Sequence, residues 1–155
     1  MRTQTRGGFT FLEVLVSLLI VSILSGVVGL SLYQYVRKAR VEAARTQIKT
    51  FQTALQIYRT EVGRLPTQEQ GLAALCVKPA TDPVPTTYPE EGFLDTQTIP
   101  LDPWGNNYIY LCPGRNGEAY EVLSYGSDGE PGGENEAADI SSSGGPAAGA
   151  AGLRP

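Results

Sequence analysis

The sequence predicts an α+β fold, with one long N-terminal helix followed by a small antiparallel β-sheet. Proline is absent between Phe9 and Pro66, so one uninterrupted helix can occupy this stretch. In its second half, apolar residues recur at alternating steps of three and four, which is the period of an amphipathic helix. Alternation at residues 108–112 and the run 119–123 then predict two strands joined by a hairpin.

Residues 9–32 form the predicted transmembrane half of the helix, since about 20 apolar residues suffice to span a bilayer. Glu13 is the one ionisable residue in this run. A carboxylate at the centre of a membrane-spanning helix costs roughly 2.5 to 3.5 kcal/mol, so Glu13 needs an explanation. Two explanations are open: a cationic partner within the membrane, or a side chain that snorkels to the membrane surface.

Residues 33–62 form the predicted amphipathic half, which continues the same helix beyond the membrane. Its apolar face consists of Ala44, Ile48, Phe51, Leu55, Tyr58 and Val62. A stripe of this kind is expected to be buried against the rest of a small domain. Gly63 followed by Pro66 predicts the end of the helix, because both residues are typical of helix termination.

Two local patterns organise the chain after the helix. Thr67 and Gln70 have the spacing of a capping box, which predicts a short helix at this point. Further on, Pro103 and Gly105 predict a turn. Trp104, which lies between them, is the predicted core anchor where the sheet packs on the helix.

The composition argues against nucleic-acid binding and against catalysis. The 155 residues carry a formal charge of −4, and removal of residues 1–8 would leave 10 basic and 16 acidic residues. No basic groove for nucleic acid is therefore expected. The chain has no histidine, the commonest acid–base catalyst near neutral pH, and no Gly-x-Ser-x-Gly nucleophile motif. No catalytic residue is predicted, and a membrane-anchored enzyme is disfavoured.

The two cysteines, Cys76 and Cys112, both follow the predicted transmembrane segment. One disulfide between them is possible if this part of the chain lies in an oxidising compartment. Two free thiols are the alternative.

The end of the chain is strongly acidic. Between Arg115 and Arg154 there is no basic residue, and the acidic ones are Glu118, Glu121, Asp128, Glu130, Glu134, Glu136 and Asp139. Carboxylates crowded among tight glycine turns suit a calcium ion, which takes 6 to 8 oxygen ligands. The spacing does not fit an EF-hand, since Gly132 occupies a ligand position. A solvated acidic loop without a bound ion is the alternative.

The N-terminal residues Arg6-Gly-Gly-Phe-Thr-Phe-Leu-Glu13 resemble the class III signal of the type IV pilin superfamily. The resemblance implies that residues 1–8 are a leader, which a prepilin peptidase removes by cutting between Gly8 and Phe9 on the cytoplasmic side. The same enzyme would then N-methylate Phe9. Glu13 would pair with the new amine of its own chain or of a neighbour, and so select the register of assembly.

Three further motifs resemble the major pseudopilins of the bacterial type II secretion system. They are Leu65-Pro-Thr-x-x-Gln-Gly-Leu72, Leu101-Asp-Pro-Trp-Gly105 and Ser124-Tyr-Gly-Ser-Asp-Gly129. With the N-terminal signal, the resemblance covers roughly residues 6–140. It implies a pilin-like, lollipop-shaped subunit whose helices bundle into a short periplasmic filament, the pseudopilus, that helps to export folded proteins across the outer membrane.

The resemblance also implies a location and a set of partners. Before assembly the subunit would cross the inner membrane once, with its α+β domain, residues 63–140, in the periplasm. Its partners would be further copies of itself, the minor pseudopilins, the inner-membrane assembly platform and the prepilin peptidase. A type IV pilus or competence pilin, working in adhesion or DNA uptake, is the alternative. Such pilins usually have a larger sheet and a cysteine-bounded C-terminal loop.

In major pseudopilins the C-terminal loop binds a structural calcium ion, which the resemblance places here at residues 124–139. The implied ligands are the carboxylates of Asp128, Asp139 and Glu136 and the backbone carbonyls of Tyr125 and Glu130. Glu136 is a substitute, because Ala138 stands where the closely related form has aspartate. The last residues, 141–155, are a tail of serine, glycine, alanine and proline that cannot bury a core.

Overall fold

The computed structural model describes residues 8–144, without the side chains of residues 26–32. It has two compact units, up to Lys38 and from Ala39 onward. The elements are helix α1 (Phe11–Val62), a 3₁₀ helix (Leu72–Leu75), strands β1 (Ile109–Leu111) and β2 (Glu121–Ser124), a second 3₁₀ helix (Asn135–Ala137) and strand β3 (Ile140–Ser141). The predicted α+β class is confirmed. Residues 1–7 of the predicted leader and residues 145–155 of the predicted tail lie outside the described residues.

Helix α1 confirms the prediction of one long helix that ends at Val62. The following glycine, Gly63, has φ of +83°, and its N–H donates to the carbonyl of Arg59 at 2.9 Å, which is how glycine terminates a helix. Among the residues that the structure describes, no helix combines the length and the apolar character that crossing a membrane requires.

The core of the second unit is built on one face of α1. Ala44, Ile48, Phe51, Leu55 and Tyr58 of the predicted face are buried, and Val62 at its end is half-buried. They pack with apolar side chains of the 3₁₀ helix, of the residue before β1 and of all three strands, namely Leu72, Leu75, Tyr108, Tyr110, Val122 and Ile140. The rings of Phe51 and Tyr108 meet edge to face with their centroids 5.0 Å apart. The predicted packing of the sheet on the helix is therefore confirmed.

The sheet is antiparallel, with the strands in the order β1-β2-β3. Tyr110 lies opposite Val122, as expected for the predicted hairpin, and Ser124 lies opposite Ile140. The third strand was not predicted. Ser142, which the prediction assigned to the tail, donates its backbone N–H to the carbonyl of Val122 at 2.8 Å and accepts a bond from Gln52 at 3.3 Å. Residues 141–143 thus belong to the folded domain.

The predicted capping box forms, although the helix that follows is shorter than a full α-helix. The Thr67 N–H donates to Gln70 Oε1 at 3.1 Å, and the Gln70 N–H donates to Thr67 Oγ1 at 3.2 Å. Residues 68–71 form a turn, and the 3₁₀ helix begins only at Leu72.

The prediction for Trp104 differs from the structure. Trp104 is half-buried at the edge of the core, with no hydrogen-bond acceptor for its buried indole nitrogen. The centre is formed instead by Phe51, Tyr58 and Leu123, which are fully buried. In this turn, Asp102 and Asn106 make the hydrogen bonds to the rest of the domain, and the indole of Trp104 lies at the periphery.

One buried carboxylate holds the hairpin and the two strands together. Glu121 on β2 is 1% exposed. Arg115 of the hairpin donates two hydrogen bonds to its carboxylate, from Nε at 2.9 Å and from Nη2 at 2.8 Å. Ser141 on β3 donates to the same carboxylate at 2.6 Å. The sequence analysis counted Glu121 among the crowded carboxylates of the acidic stretch, but its counter-charge comes from Arg115, the residue at which that stretch begins.

The hydrogen bonds from Arg115, above all, lower the pKa of Glu121 from 4.5 to about 2, against the effect of burial. Because the folded-state pKa lies below the unfolded-state value, the stabilisation is present above pH 4.5 and is lost as the pH falls towards 2. At about 1.4 kcal/mol per pKa unit, it is worth up to roughly 3 kcal/mol.

We expect Glu121→Gln to lower the free energy of unfolding at neutral pH, and the difference from wild type to shrink between pH 5 and pH 2.5. Urea denaturation of the full chain in detergent across this range measures it. Glu61→Gln, an exposed position on α1, is the control and should match wild type throughout. A deficit of Glu121→Gln that does not change with pH would contradict the assignment.

Candidate functional site

The first candidate site is the N-terminal segment that leads into α1. Gly8, Phe9 and Thr10 precede the helix and are exposed, with Phe9 at 84%. Glu13 lies in the first turn of α1, and its side chain is also exposed. Thus the residues predicted for cleavage, methylation and assembly occupy one accessible stretch of the chain.

The structure adds a local role for Glu13 that sequence reasoning missed. Thr10 Oγ1 accepts a hydrogen bond from the Glu13 N–H at 3.2 Å, which is the contact of an N-cap residue. This role could have been predicted from the sequence, because Thr10-x-x-Glu13 has the spacing of a capping box. A negative charge in the first turn also stabilises the positive end of the helix dipole by about 0.3 to 1 kcal/mol. Glu13 therefore favours the start of α1 at Phe11.

The first half of α1 presents apolar side chains on all sides. Every large one from Phe11 to Leu24 is at least 46% exposed. Its serines do not break this surface, because Ser17, Ser22 and Ser25 each donate to a backbone carbonyl one turn earlier. A helix that is apolar all round needs lipid or other helices as its surroundings.

The second candidate site is the acidic loop, residues 124–139, whose two ends lie against each other. Gly126 has φ of +68°, and a Cβ at this position would come within 2.4 Å of the Glu136 carbonyl oxygen. The next N–H, of Ser127, donates to that same carbonyl at 2.9 Å. Glycine is required here for both reasons, the backbone conformation and the close approach.

Asp139 is the deepest of the predicted calcium ligands. Its side chain is fully buried, and its Oδ1 accepts a hydrogen bond from the Gly132 N–H at 2.8 Å. Its Oδ2 is buried and accepts no hydrogen bond, and Arg115 Nη1 stands 3.9 Å away. A buried carboxylate oxygen without a donor is costly, and a bound cation would remove that cost. This part of the loop fits a calcium ion.

The other predicted ligands are closer to the surface. Asp128 and Glu130 are exposed, with the Glu130 N–H donating to Asp128 Oδ1 at 3.2 Å, while Glu136 and Tyr125 are half-buried. Within residues 8–144, no three His, Cys, Asp or Glu side chains are grouped so that they could hold a metal. Calcium therefore stays a prediction, and main-chain carbonyls would have to complete the ligand set.

The turn that precedes β1 contacts this loop, and sequence reasoning missed its role. Asp102 is buried and accepts hydrogen bonds from the backbone of Trp104 at 3.0 Å, the backbone of Asn106 at 2.8 Å and the hydroxyl of Ser124 at 2.6 Å. Asn106 in turn donates from Nδ2 to the carbonyl of Gly126 at 2.8 Å. The Asp-Pro-Trp-Gly motif contains the signal, since an aspartate before a turn commonly accepts backbone bonds.

The two cysteines are free thiols in the structure. Cys76 is buried, with its sulfur 4.0 Å from Thr96 Oγ1, whereas Cys112 is half-buried and donates to the carbonyl of Ala119 at 3.4 Å. Burial raises the pKa of the Cys76 thiol, which disfavours its reactive thiolate form. Of the two alternatives, the structure has the one without a disulfide.

Comparison with known proteins finds family models that match most of this chain. The family model for type II secretion system protein G matches residues 31–143, and the model for the prokaryotic N-terminal methylation motif matches residues 4–29. The chain is 44% identical to type II secretion system core protein G of Vibrio cholerae over 140 residues, which cover 90% of this chain and 92% of the relative. It is 36% identical to the protein of that name from Pseudomonas aeruginosa, with 90% and 96% covered.

A solved structure agrees with these matches. The crystal structure of the major pseudopilin from the type 2 secretion system of enterohaemorrhagic Escherichia coli has a TM-score of 0.61 and 34% identity, and covers 72% of this chain and 92% of its own. The comparisons support the predicted secretion-system subunit over a type IV pilus or competence pilin. With its long N-terminal helix, its small sheet and its methylation motif, the chain belongs to the type II secretion system protein G family, the major pseudopilins.

Proposed function

We propose that this chain polymerises through the first half of α1 into a periplasmic pseudopilus, which helps to export folded proteins across the outer membrane. The observation that carries the proposal is the apolar surface from Phe11 to Leu24, which has no use in a monomer surrounded by water. Neighbouring copies would cover it in the filament, and lipid would cover it before assembly. The subunit would then be a single-pass protein of the inner membrane, with residues 63–140 in the periplasm.

We further propose that the chain is processed before assembly. A prepilin peptidase would cut between Gly8 and Phe9 and methylate the new amine of Phe9. Three observations support this: the match to the methylation motif, the exposure of both residues, and the lack of regular secondary structure at residues 8–10, the described residues that precede the helix. The cationic amine would pair with Glu13, whose carboxylate would otherwise be costly among apolar helices.

We also propose that loop 124–139 binds one structural calcium ion. Asp139 would be its buried ligand, with Asp128, Glu136 and the carbonyls of Tyr125 and Glu130 as the remaining candidates. The support is the buried Oδ2 of Asp139 without a hydrogen bond, in a stretch where acidic residues outnumber basic ones. The ion would reduce repulsion between the carboxylates and hold the loop closed.

Membership of the family supports a proposal for the remaining partners. We propose that the subunit meets the minor pseudopilins and the inner-membrane assembly platform as the filament grows. We propose no catalytic activity and no nucleic-acid partner, since the chain lacks histidine and has a net negative charge. Hydrolytic activity of the purified chain would argue against this part of the proposal.

Processing predicts a defined N-terminus. We expect mass spectrometry of the protein extracted from the cell envelope to show a chain that begins at N-methylated Phe9. Gly8→Ala, which alters the residue before the cut, should accumulate the form that begins at Met1, while Ser17→Ala should be processed normally. An intact Met1 in wild-type cells that secrete would contradict the proposal.

The charge of Glu13 predicts an assembly defect. We expect Glu13→Leu to abolish filaments, because the methylated amine of Phe9 would lose its anionic partner. Electron microscopy of filaments sheared from cells measures the loss. Thr10→Ala is the matched control: it removes the N-cap contact but keeps the carboxylate, and should still assemble. Filaments of normal length and number in Glu13→Leu would overturn the role of this residue.

Calcium binding predicts a shift in thermal stability. At a calcium concentration about a hundredfold above Kd, we expect the Tm of the full chain in detergent to rise by roughly 10 °C over that in chelator. Asp139→Ala should lose most of this shift, and the exposed acid Glu61→Ala should keep it. Equal melting of the wild-type protein in calcium and in chelator would remove calcium from the proposal.

A further inference from the structure

We infer that Asp102, Ser124 and Asn106, here called the Asp102 hub, position the calcium loop. None of the three is among the predicted ligands. The inference rests on the calcium site proposed above and concerns how its backbone is oriented. Its basis is a continuous set of hydrogen bonds from a buried carboxylate to the two peptide groups at the start of the loop.

The hub begins with the carboxylate of Asp102, which is 5% exposed. Its Oδ2 accepts from the Ser124 hydroxyl at 2.6 Å, and its Oδ1 accepts from the Asn106 N–H at 2.8 Å. Hydrogen bonds to an ionised group are shorter and stronger than those between neutral groups. Asp102 therefore fixes both the hydroxyl rotamer of Ser124 and the backbone of Asn106.

Ser124 orients the first peptide of the loop. Its Oγ, which has donated its own hydrogen to Asp102, accepts a bond from the Gly126 N–H at 3.2 Å. That N–H belongs to the same planar unit as the Tyr125 carbonyl. In a trans peptide the two point in opposite directions. Ser124 thus directs the Tyr125 carbonyl, a candidate calcium ligand, to the opposite side of the peptide from the hub.

Asn106 orients the second peptide. Its Nδ2 donates to the Gly126 carbonyl at 2.8 Å, while the Ser127 N–H on the other edge of that peptide donates to the Glu136 carbonyl at 2.9 Å. One peptide therefore links the hub to the far end of the loop. Gly129 also lies on the Asn106 carboxamide, where an added Cβ would stand 3.2 Å from Oδ1.

These contacts link the hub to the backbone at both ends of the loop through groups of the protein alone. The hub supplies no ligand. It acts like the residues that hydrogen-bond to the ligands of a metal, because it holds the peptide groups that carry the candidate ligands in place. Residues of this kind commonly change metal affinity by about 10- to 100-fold when they are removed. We therefore assign Ser124 and Asn106 as positioning residues, with Asp102 as the group that orders both of them.

The test is calcium titration of the full chain in detergent by isothermal calorimetry. We expect Asn106→Ala to weaken calcium binding by about 10- to 100-fold. Asn107→Ala is the matched control, since this neighbouring asparagine is exposed and should bind as wild type does. If circular dichroism shows that Asn106→Ala is unfolded, Asn106→Leu, which keeps about the same side-chain size without the donor and without a charge, replaces it.

A purely structural role for Asn106 would lower the stability of the chain with and without calcium alike, and would leave the affinity of the folded protein unchanged. Wild-type affinity in folded Asn106→Ala would therefore overturn the inference while leaving the calcium site intact. If the wild-type protein itself binds no calcium, the site and the inference both fail, whereas the filament proposal does not. Hydrogen exchange gives a second measurement: the Ser127 amide should exchange faster in the variant even in chelator.

Discussion

The burial of one face of α1 is the constraint on which the rest of the domain depends. Strands of two to four residues cannot form a stable sheet by themselves, and here the sheet has only three of them. The stripe from Ala44 to Tyr58 supplies the missing core, and the 3₁₀ helix closes it from the side. Because the same helix continues towards Phe11, the element that stabilises the domain also carries the exposed apolar residues that we propose for assembly.

Three buried carboxylates of this small domain differ in how their negative charge is compensated. Glu121 is neutralised by the fork of Arg115, and Asp102 is surrounded by donors from a turn and a serine. Asp139 is different, since one of its oxygens has no hydrogen bond. Both oxygens of Glu121 and of Asp102 accept hydrogen bonds within the fold. Only one oxygen of Asp139 does, so its Oδ2 could still bind a cation. This difference separates a structural acid from a candidate ligand more clearly than the number of acidic residues does.

The two candidate sites share one feature, a carboxylate that is proposed to bind a cationic partner. Each contains a carboxylate that can take a further cationic partner, which is proposed to come from outside the folded chain, although Asp139 already has Arg115 Nη1 at 3.9 Å. For Glu13 the partner is an amine created by processing, and for Asp139 it is a divalent cation. Both sites also have hydrogen bonds to the nearby backbone: Thr10 accepts from the Glu13 N–H at one, and Asn106 donates to the Gly126 carbonyl at the other, where we infer a positioning role.

The sequence by itself determined the features that depend on local order along the chain. Helical periodicity and the absence of proline gave α1 and its buried face, Gly63 gave its end, and Thr67 with Gln70 gave the capping box. The N-terminal motif and the three loop motifs also sufficed for the family. These features can be predicted from sequence because each depends on residues a few positions apart and has one dominant physical cause.

Only the tertiary structure decided which distant residues meet. Arg115 neutralises Glu121, β3 forms from residues at the edge of the predicted tail, Trp104 stays at the periphery, and Asp102 reaches the acidic loop through Asn106. None of these contacts has a period or a fixed spacing. They arise because the packing of the sheet on α1 brings a turn, a hairpin and a loop into the same small volume, where each buried polar group must find a partner.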